Sequence, residues 1–179
     1  MTNGYIRSAA VALLIILLIC LPSAFFAQAK TVLNPQGGAK KATNVIVIHQ
    51  EIHFKASPKR VYEALLSSRQ FSESTKKSFA NFSAASAKID PVAGGAFSVF
   101  DGVISGRILE LVPDQRIVEA WRVADWPAGI YSIARFDLRA NGTGTTLIFD
   151  HTGFPEGLKE HLATGWQQHY WDALTKYLP

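Results

Sequence analysis

The feature that most constrains this chain is an apolar stripe near its C-terminus, in which a large apolar residue recurs at every fourth position. The stripe consists of Leu158, Leu162, Trp166, Tyr170 and Leu174. Residues four apart lie on one face of an α-helix, so the stripe predicts an amphipathic helix of about six turns. A helix with one broad apolar face must be covered by another layer of structure. The rest of the chain is therefore expected to supply that cover.

A series of segments with alternating apolar and polar residues precedes this helix, and a turn follows each of them. These segments are residues 96–101, 103–112, 116–124, 131–139 and 145–151. Asn141-Gly142, between the last two, is the strongest short hairpin signal in the sequence. Alternation with frequent turns predicts an antiparallel meander, and a meander with one apolar face needs a helix to cover it.

A further strand and a short helix are predicted before the meander. Residues 45–54 are rich in β-branched side chains, which favour a strand. Ser57-Pro58 then supplies an N-cap oxygen and a proline for the first turn of a helix over residues 58–68. Residues 69–87 are polar and ambiguous, with room for a short second helix. The fold class is therefore α+β, with a curved antiparallel sheet wrapped around a long C-terminal helix.

The first 29 residues have the order of a secretory signal peptide. Arg7 is their only charged side chain, residues 9–21 are apolar, and Ala27-Gln28-Ala29 provides small residues for cleavage. Residues 30–43 are predicted to be a linker and residues 44–179 a domain that is secreted or periplasmic. The alternative is an uncleaved, single-pass N-terminal membrane anchor. Cys20, the single cysteine, lies in this segment, so a cleaved chain has no thiol.

Charge and motifs argue against several classes of function. The formal net charge of +4 is scattered, with no run of like charges longer than two residues, so nucleic-acid binding is not expected. The five histidines do not have metal-ligand spacing, and neither H-E-x-x-H nor G-x-S-x-G occurs. The sequence therefore predicts no metal, no cofactor and no catalytic motif.

Short motifs along residues 44–179 resemble a known superfamily. They are residues 52–58, Gly94-Gly95-Ala96-Phe97, residues 101–113, Trp121-Arg122, Gly144-Thr145-Thr146-Leu147, His151-Thr152-Gly153-Phe154 and Gly165-Trp166. In this order they resemble the SRPBCC (START-like, Bet v 1-like) superfamily, and within it the branch of activator of Hsp90 ATPase homologue 1-like domains. The resemblance implies a helix-grip fold and a cavity for a small hydrophobic ligand between the sheet and the C-terminal helix. It also suggests Hsp90 as a partner, which export from the cytoplasm would make unlikely.

Strand alternation and the helical stripe predict which side chains line such a cavity. The predicted ligand-pocket residues are Phe97, Val99, Glu119, Trp121, Phe136, Phe149, His151, Trp166 and Tyr170. Gly165 costs the helix about 1 kcal/mol of stability, and close approach of the helix to the sheet is the expected reason for a glycine here.

Two of the predicted pocket residues could do chemistry. His151 could act as an acid or base, or could simply be bonded to nearby backbone. Glu119 could bind a ligand hydroxyl with a raised pKa, or could face outward or pair with Arg107 or Arg135.

Three functions remain open at this point. Binding of a small hydrophobic ligand without catalysis is favoured. The first alternative is an enzyme acting on a hydrophobic small molecule, with His151 or Glu119 as acid or base. The second is a partner-binding protein with a closed core.

Export is directly testable. If residues 1–29 are a signal peptide, N-terminal sequencing of the mature protein from its native host should begin at or near Lys30. An intact Met1 on membrane-bound protein would contradict cleavage and support the anchor.

Overall fold

The computed structural model describes residues 45–76 and 86–179. The expected signal peptide and linker, residues 1–43, lie outside the described residues. Among the helices of the described part, none is long and apolar enough to cross a membrane. The elements are β1 (Val47–Phe54), α1 (Pro58–Leu66), α2 (Ser68–Thr75), β2 (Lys88–Ile89), β3 (Ala96–Val99), β4 (Ile104–Val112), β5 (Arg116–Val123), β6 (Ser132–Asn141) and β7 (Gly144–Thr152), followed by the C-terminal helix.

The strands form a seven-stranded sheet in the order β1-β7-β6-β5-β4-β3-β2, with every neighbouring pair antiparallel. The strands β1 and β2 lie at opposite edges, and α1 and α2 lie between them in the chain. The predicted α+β fold, with a curved antiparallel sheet and a C-terminal helix, is confirmed.

The two short helices begin where the sequence provides side-chain caps. The Ser57 hydroxyl accepts a hydrogen bond from the Arg60 amide, and Pro58 occupies the first turn of α1. Ser67 caps α2 in the same way through the Gln70 amide. The helix predicted over residues 58–68 therefore ends at Leu66, because Ser67 takes an extended conformation and starts a second helix.

A glycine in the middle of the sheet makes room for an aromatic layer on the inner face. Gly106 of β4 lies between Phe97 of β3 and Trp121 of β5 in the strand register. A Cβ on Gly106 would lie 2.6 Å from the Phe97 ring and 1.9 Å from the Ala120 carbonyl oxygen. No side chain fits there, so the Phe97 ring can lie over the backbone of β4.

The C-terminal helix has three parts: α3 (Lys159–Gly165), a π-helical segment (Trp166–Trp171) and α4 (Asp172–Tyr177). In a regular α-helix, each step of four residues overshoots a turn by about 40°, so a strict four-residue stripe drifts around the axis. The wider π turn takes up this drift. As a result Leu162, Trp166, Tyr170 and Leu174 are all buried against the sheet.

Candidate ligand-binding site

The C-terminal helix meets the sheet through a cluster of aromatic rings centred on Trp166. The Trp166 ring centroid lies 4.1 Å from that of Tyr170 and 4.3 Å from that of Phe149 of β7. Trp121 of β5 lies 5.3 Å away and Phe136 of β6 lies 5.8 Å away. All five side chains are buried and pack against one another.

His151 lies at the centre of a closed hydrogen-bond chain. The Trp166 indole N–H donates to His151 Nδ1 at 3.0 Å, and His151 Nε2 lies 2.6 Å from Ser132 Oγ. The Ser132 hydroxyl itself donates to the Trp121 carbonyl oxygen at 3.0 Å, so it accepts from His151 Nε2. These directions assign a neutral imidazole that carries its proton on Nε2. The partners of His151 are side chains, not the nearby backbone that was the expected alternative.

The surroundings of His151 oppose a positive charge. Rings of Trp121, Phe149, Phe154 and Trp166 enclose the imidazole. Burial lowers the pKa of His151 to about 3. Both ring nitrogens are engaged within the protein, so neither is directed at a substrate.

Glu119 of β5 also faces the inner side of the sheet, between Ile108 of β4 and Ala134 of β6. Those two neighbours are fully buried, which rules out the alternative register in which Glu119 points outward. The arginines considered as partners bind elsewhere: Arg107 donates to the Gly94 carbonyl and Arg135 to Asp137.

The Glu119 carboxyl makes no hydrogen bond to any residue in the described ranges. It borders a void of about 10 Å³ lined by Leu65, Phe71, Ile89, Phe97, Val99, Ile117, Phe136 and Tyr170. The Glu119 side chain is half-buried and keeps some accessible surface. Burial in these apolar surroundings raises the pKa of Glu119 to about 8. At neutral pH the group is therefore mainly a neutral acid.

A larger groove lies between the start of β4, the end of β5 and the C-terminal helix. Its volume is about 270 Å³, and its apolar walls come from Val103, Ile104, Trp121, Val123, Leu162, Gly165, Trp166 and Tyr170. His161, Thr164, Gln168 and His169 provide its polar edge. A mainly apolar cleft with few polar groups has the character of a small-molecule site.

The predicted pocket residues are therefore distributed over three places. Trp121, Trp166 and Tyr170 line the groove, whereas Phe97, Val99, Glu119, Phe136 and Tyr170 line the small void. Phe149 and His151 line neither cavity and belong to the packed core.

The explanation expected for Gly165 is wrong. A Cβ on this residue would meet only the His169 ring, at 4.0 Å, so the helix does not need a glycine to approach the sheet. Gly165 has ordinary helical angles and lies in the wall of the groove. Its missing side chain leaves space in the groove.

Sequence reasoning did not find Val103, Ile104, Val123 and Leu162 as groove residues. Val103 and Ile104 follow the turn Phe100–Gly102, where Phe100 and Asp101 have positive φ angles of 54° and 55°. That turn interrupts the strand alternation. The one available signal was Gly165 in an apolar helical stripe.

Among residues 45–76 and 86–179, no group of three potential metal ligands comes together. His161 and His169 both line the groove, but none of the described carboxylates lines it with them.

Residues 55–179 match the family model described as activator of Hsp90 ATPase homolog 1-like protein. The chain belongs to this family. The match covers most of the chain, and it confirms the resemblance drawn from the motifs. The family assignment therefore rests on the sequence of the folded domain.

Relatives and solved structures agree with the family. The human activator of 90 kDa heat shock protein ATPase homolog 1 is 28% identical over 148 residues, which is 83% of this chain and 40% of that protein. The chain thus spans less than half of this curated relative. An HSP90 activator from Plasmodium falciparum has a TM-score of 0.65 at 23% identity, over 72% of this chain and 93% of that one. CalU16 from Micromonospora echinospora has a TM-score of 0.61 at 23% identity, over 75% and 76%. These structures share the fold.

The buried imidazole should make the protein sensitive to acid. The unfolded chain protonates His151 near pH 6.5, whereas the folded chain resists until about pH 3. Stability from this group is therefore present above pH 6.5 and lost as the pH falls towards 3. Relative to a His151→Gln variant, the wild type should lose a few kcal/mol of unfolding free energy between pH 7 and 4, at about 1.4 kcal/mol per pKa unit. Urea unfolding measures this difference.

The matched control is His49→Gln. His49 is exposed on β1, and its hydrogen bond to Asp150 raises its pKa, so its removal should not reduce the acid sensitivity. Equal pH dependence in the wild type and His151→Gln would contradict the buried neutral imidazole.

Glu119 should have the opposite effect on the pH profile. The unfolded chain loses this proton near pH 4.5 and the folded chain near pH 8, so stability falls as the pH rises between these values. Relative to Glu119→Gln, the wild type should lose a few kcal/mol between pH 5 and 9. The exposed Glu156→Gln serves as the control. A constant difference between wild type and Glu119→Gln would show that the carboxyl is solvated.

From pH 4.5 to 6.5 the effects of His151 and Glu119 on the free energy of unfolding oppose each other. Each single variant should therefore show a clearer pH dependence than the wild-type curve.

Proposed function

We propose that this protein binds a small, mainly apolar molecule in the groove beside the C-terminal helix and does not change it chemically. The observation that carries the proposal is the groove itself, about 270 Å³ in volume and lined mostly by apolar side chains. Burying apolar ligand surface there would stabilise a complex by about 25 cal/mol per Å². The volume suits a molecule of one or two rings, slightly below the common range for ligand sites of roughly 300–1,000 Å³.

The state of the buried polar groups supports binding over catalysis. A general base needs a free lone pair within hydrogen-bond reach of the substrate. Both nitrogens of His151 are bonded inside the core, and the residue does not line the groove. Glu119 lies behind Tyr170, on the small void instead of the groove. The enzyme alternative would therefore require rearrangement of the aromatic cluster.

The proposal does not extend to a chaperone partner. The human relative is named as an Hsp90 ATPase activator, but the match covers 40% of that protein. Export of residues 44–179 would separate this domain from a cytosolic chaperone. We propose secretion or a periplasmic location on the basis of residues 1–29. The absence of an Hsp90 partner is a proposal that depends on this location.

Filling the groove tests the proposal. A Gly165→Leu side chain would occupy the groove, and leucine favours the helix more than glycine does. Binding of 2-ethylnaphthalene, measured by equilibrium dialysis, should weaken at least about tenfold, equivalent to about 1.4 kcal/mol. Gly165→Ala is the matched control. It adds one methyl group at a helical site with open space, so it should bind within about threefold of wild type and be more stable by roughly 0.4–1 kcal/mol.

Two outcomes would contradict the proposal. Undiminished binding by Gly165→Leu would place the site elsewhere. Failure of the wild type to bind 2-ethylnaphthalene would favour the closed-core alternative.

A further inference from the structure

Tyr170 separates the groove from the small void at Glu119. Of the described residues that line these two cavities, Tyr170 alone lines both. One side of its ring therefore borders a space for an apolar molecule, and the other borders a carboxyl group. Removing this ring from its place would join the two spaces into one site with a polar end.

Hydrogen bonding holds the Tyr170 hydroxyl only weakly. The Trp121 indole N–H donates to it at 3.5 Å, well beyond the usual 2.9–3.0 Å for such a bond. The ring also packs against Trp166, at 4.1 Å between centroids, and meets Phe71 and Phe100 edge-on at 5.5 and 5.3 Å. Tyr170 also lies in the π-helical segment, and π turns within helices frequently occur at functional sites.

The Glu119 carboxyl is a half-buried polar group that borders the void and has no hydrogen-bond partner among the described residues. Polar groups inside a protein are nearly always hydrogen-bonded to protein or to water. The void beside it is only large enough for about one water molecule. A carboxyl kept in apolar surroundings without a protein partner is a candidate for recognition of a ligand.

Resting on the proposed function, we propose that the ligand is an apolar molecule carrying one uncharged hydrogen-bond acceptor, such as a ketone oxygen, to which the Glu119 carboxyl donates once the Tyr170 ring turns aside. The apolar body fills the groove and the acceptor enters the void. The class of ligand follows from the donor. An acid in its neutral form offers one O–H, which an ester, ether or ketone oxygen accepts without bringing a charge into the core.

The electrostatic surroundings make this interaction dependent on pH. Of the described side chains that line the void with Glu119, from α1, α2, the strands and the C-terminal helix, only Tyr170 can titrate. Burial raises the pKa of the Tyr170 hydroxyl well above its usual range, so it stays neutral. Glu119 itself has a pKa of about 8. Above that pH the carboxylate no longer donates, and it repels an oxygen acceptor.

Three naphthalene derivatives of similar shape distinguish the possibilities: 2-acetylnaphthalene with a ketone, 2-ethylnaphthalene with no polar group, and 1-(2-naphthyl)ethylamine with a cation. At pH 6 the wild type should bind the ketone about five- to tenfold more tightly than the hydrocarbon, the effect of one hydrogen bond. At pH 10 this preference should vanish, while hydrocarbon binding stays unchanged. Equilibrium dialysis gives all three affinities, and near-ultraviolet circular dichroism verifies the fold at each pH.

Two variants assign the preference to Glu119. Glu119→Gln keeps an N–H donor that does not titrate, so the ketone preference should persist at both pH values. Glu119→Leu has similar volume but no donor, so the ketone and the hydrocarbon should bind equally at pH 6. Both variants should still bind the hydrocarbon.

The outcomes separate this inference from the proposed function. Equal binding of ketone and hydrocarbon by the wild type at pH 6 would overturn the inference and leave the void as a site for one water. Tighter binding of the amine than of the ketone would overturn it in favour of a cationic ligand. Persistence of the ketone preference in Glu119→Leu would also overturn it. If none of the three probes binds, both proposals fail together.

Discussion

The structure depends on burying one aromatic face of the C-terminal helix against the inner face of the sheet. Trp166 is the centre of this contact, with rings from three strands and from its own helix around it. Rings of this size fit in the interior only where the backbone leaves room for them or places them on the same face. Gly106 leaves room for the Phe97 ring in the sheet. In the helix, the π-helical segment keeps Tyr170 on the same face as Trp166.

Burial in the same aromatic interior shifts the pKa values of Glu119 on β5 and His151 on β7 in opposite directions. His151 has two bonded nitrogens and stays neutral by losing its extra proton. Glu119 has no partner in the described part of the chain and stays neutral by keeping its proton. Burial alone explains both directions, because low polarity penalises whichever form is charged. The two groups differ in hydrogen bonding: both nitrogens of His151 are bonded within the core, whereas the Glu119 carboxyl has no bonded partner among the described residues.

Much of the fold was readable from the sequence, because strand alternation and the four-residue stripe report directly on burial. The inward positions of Glu119 and Trp121 followed from period two alone, given that one of them faced the core. The partners of His151 did not follow, because Ser132 lies on another strand and Trp166 on the helix, and no local pattern joins them. The π-helical segment was implicit in the strict four-residue spacing, which a regular α-helix cannot keep on one face.

The groove was the hardest part to predict, because it is a space that no side chain fills. A sequence identifies side chains that fill a core more readily than gaps between them. Here the gap arises from two backbone features: the positive-φ turn at Phe100–Asp101, after which β4 begins, and the absent side chain of Gly165 opposite it. Neither feature serves the packing of Trp166, and Gly165 weakens its helix by about 1 kcal/mol relative to alanine. The gap therefore follows from the local backbone at two positions that neither strand alternation nor the helical stripe reports.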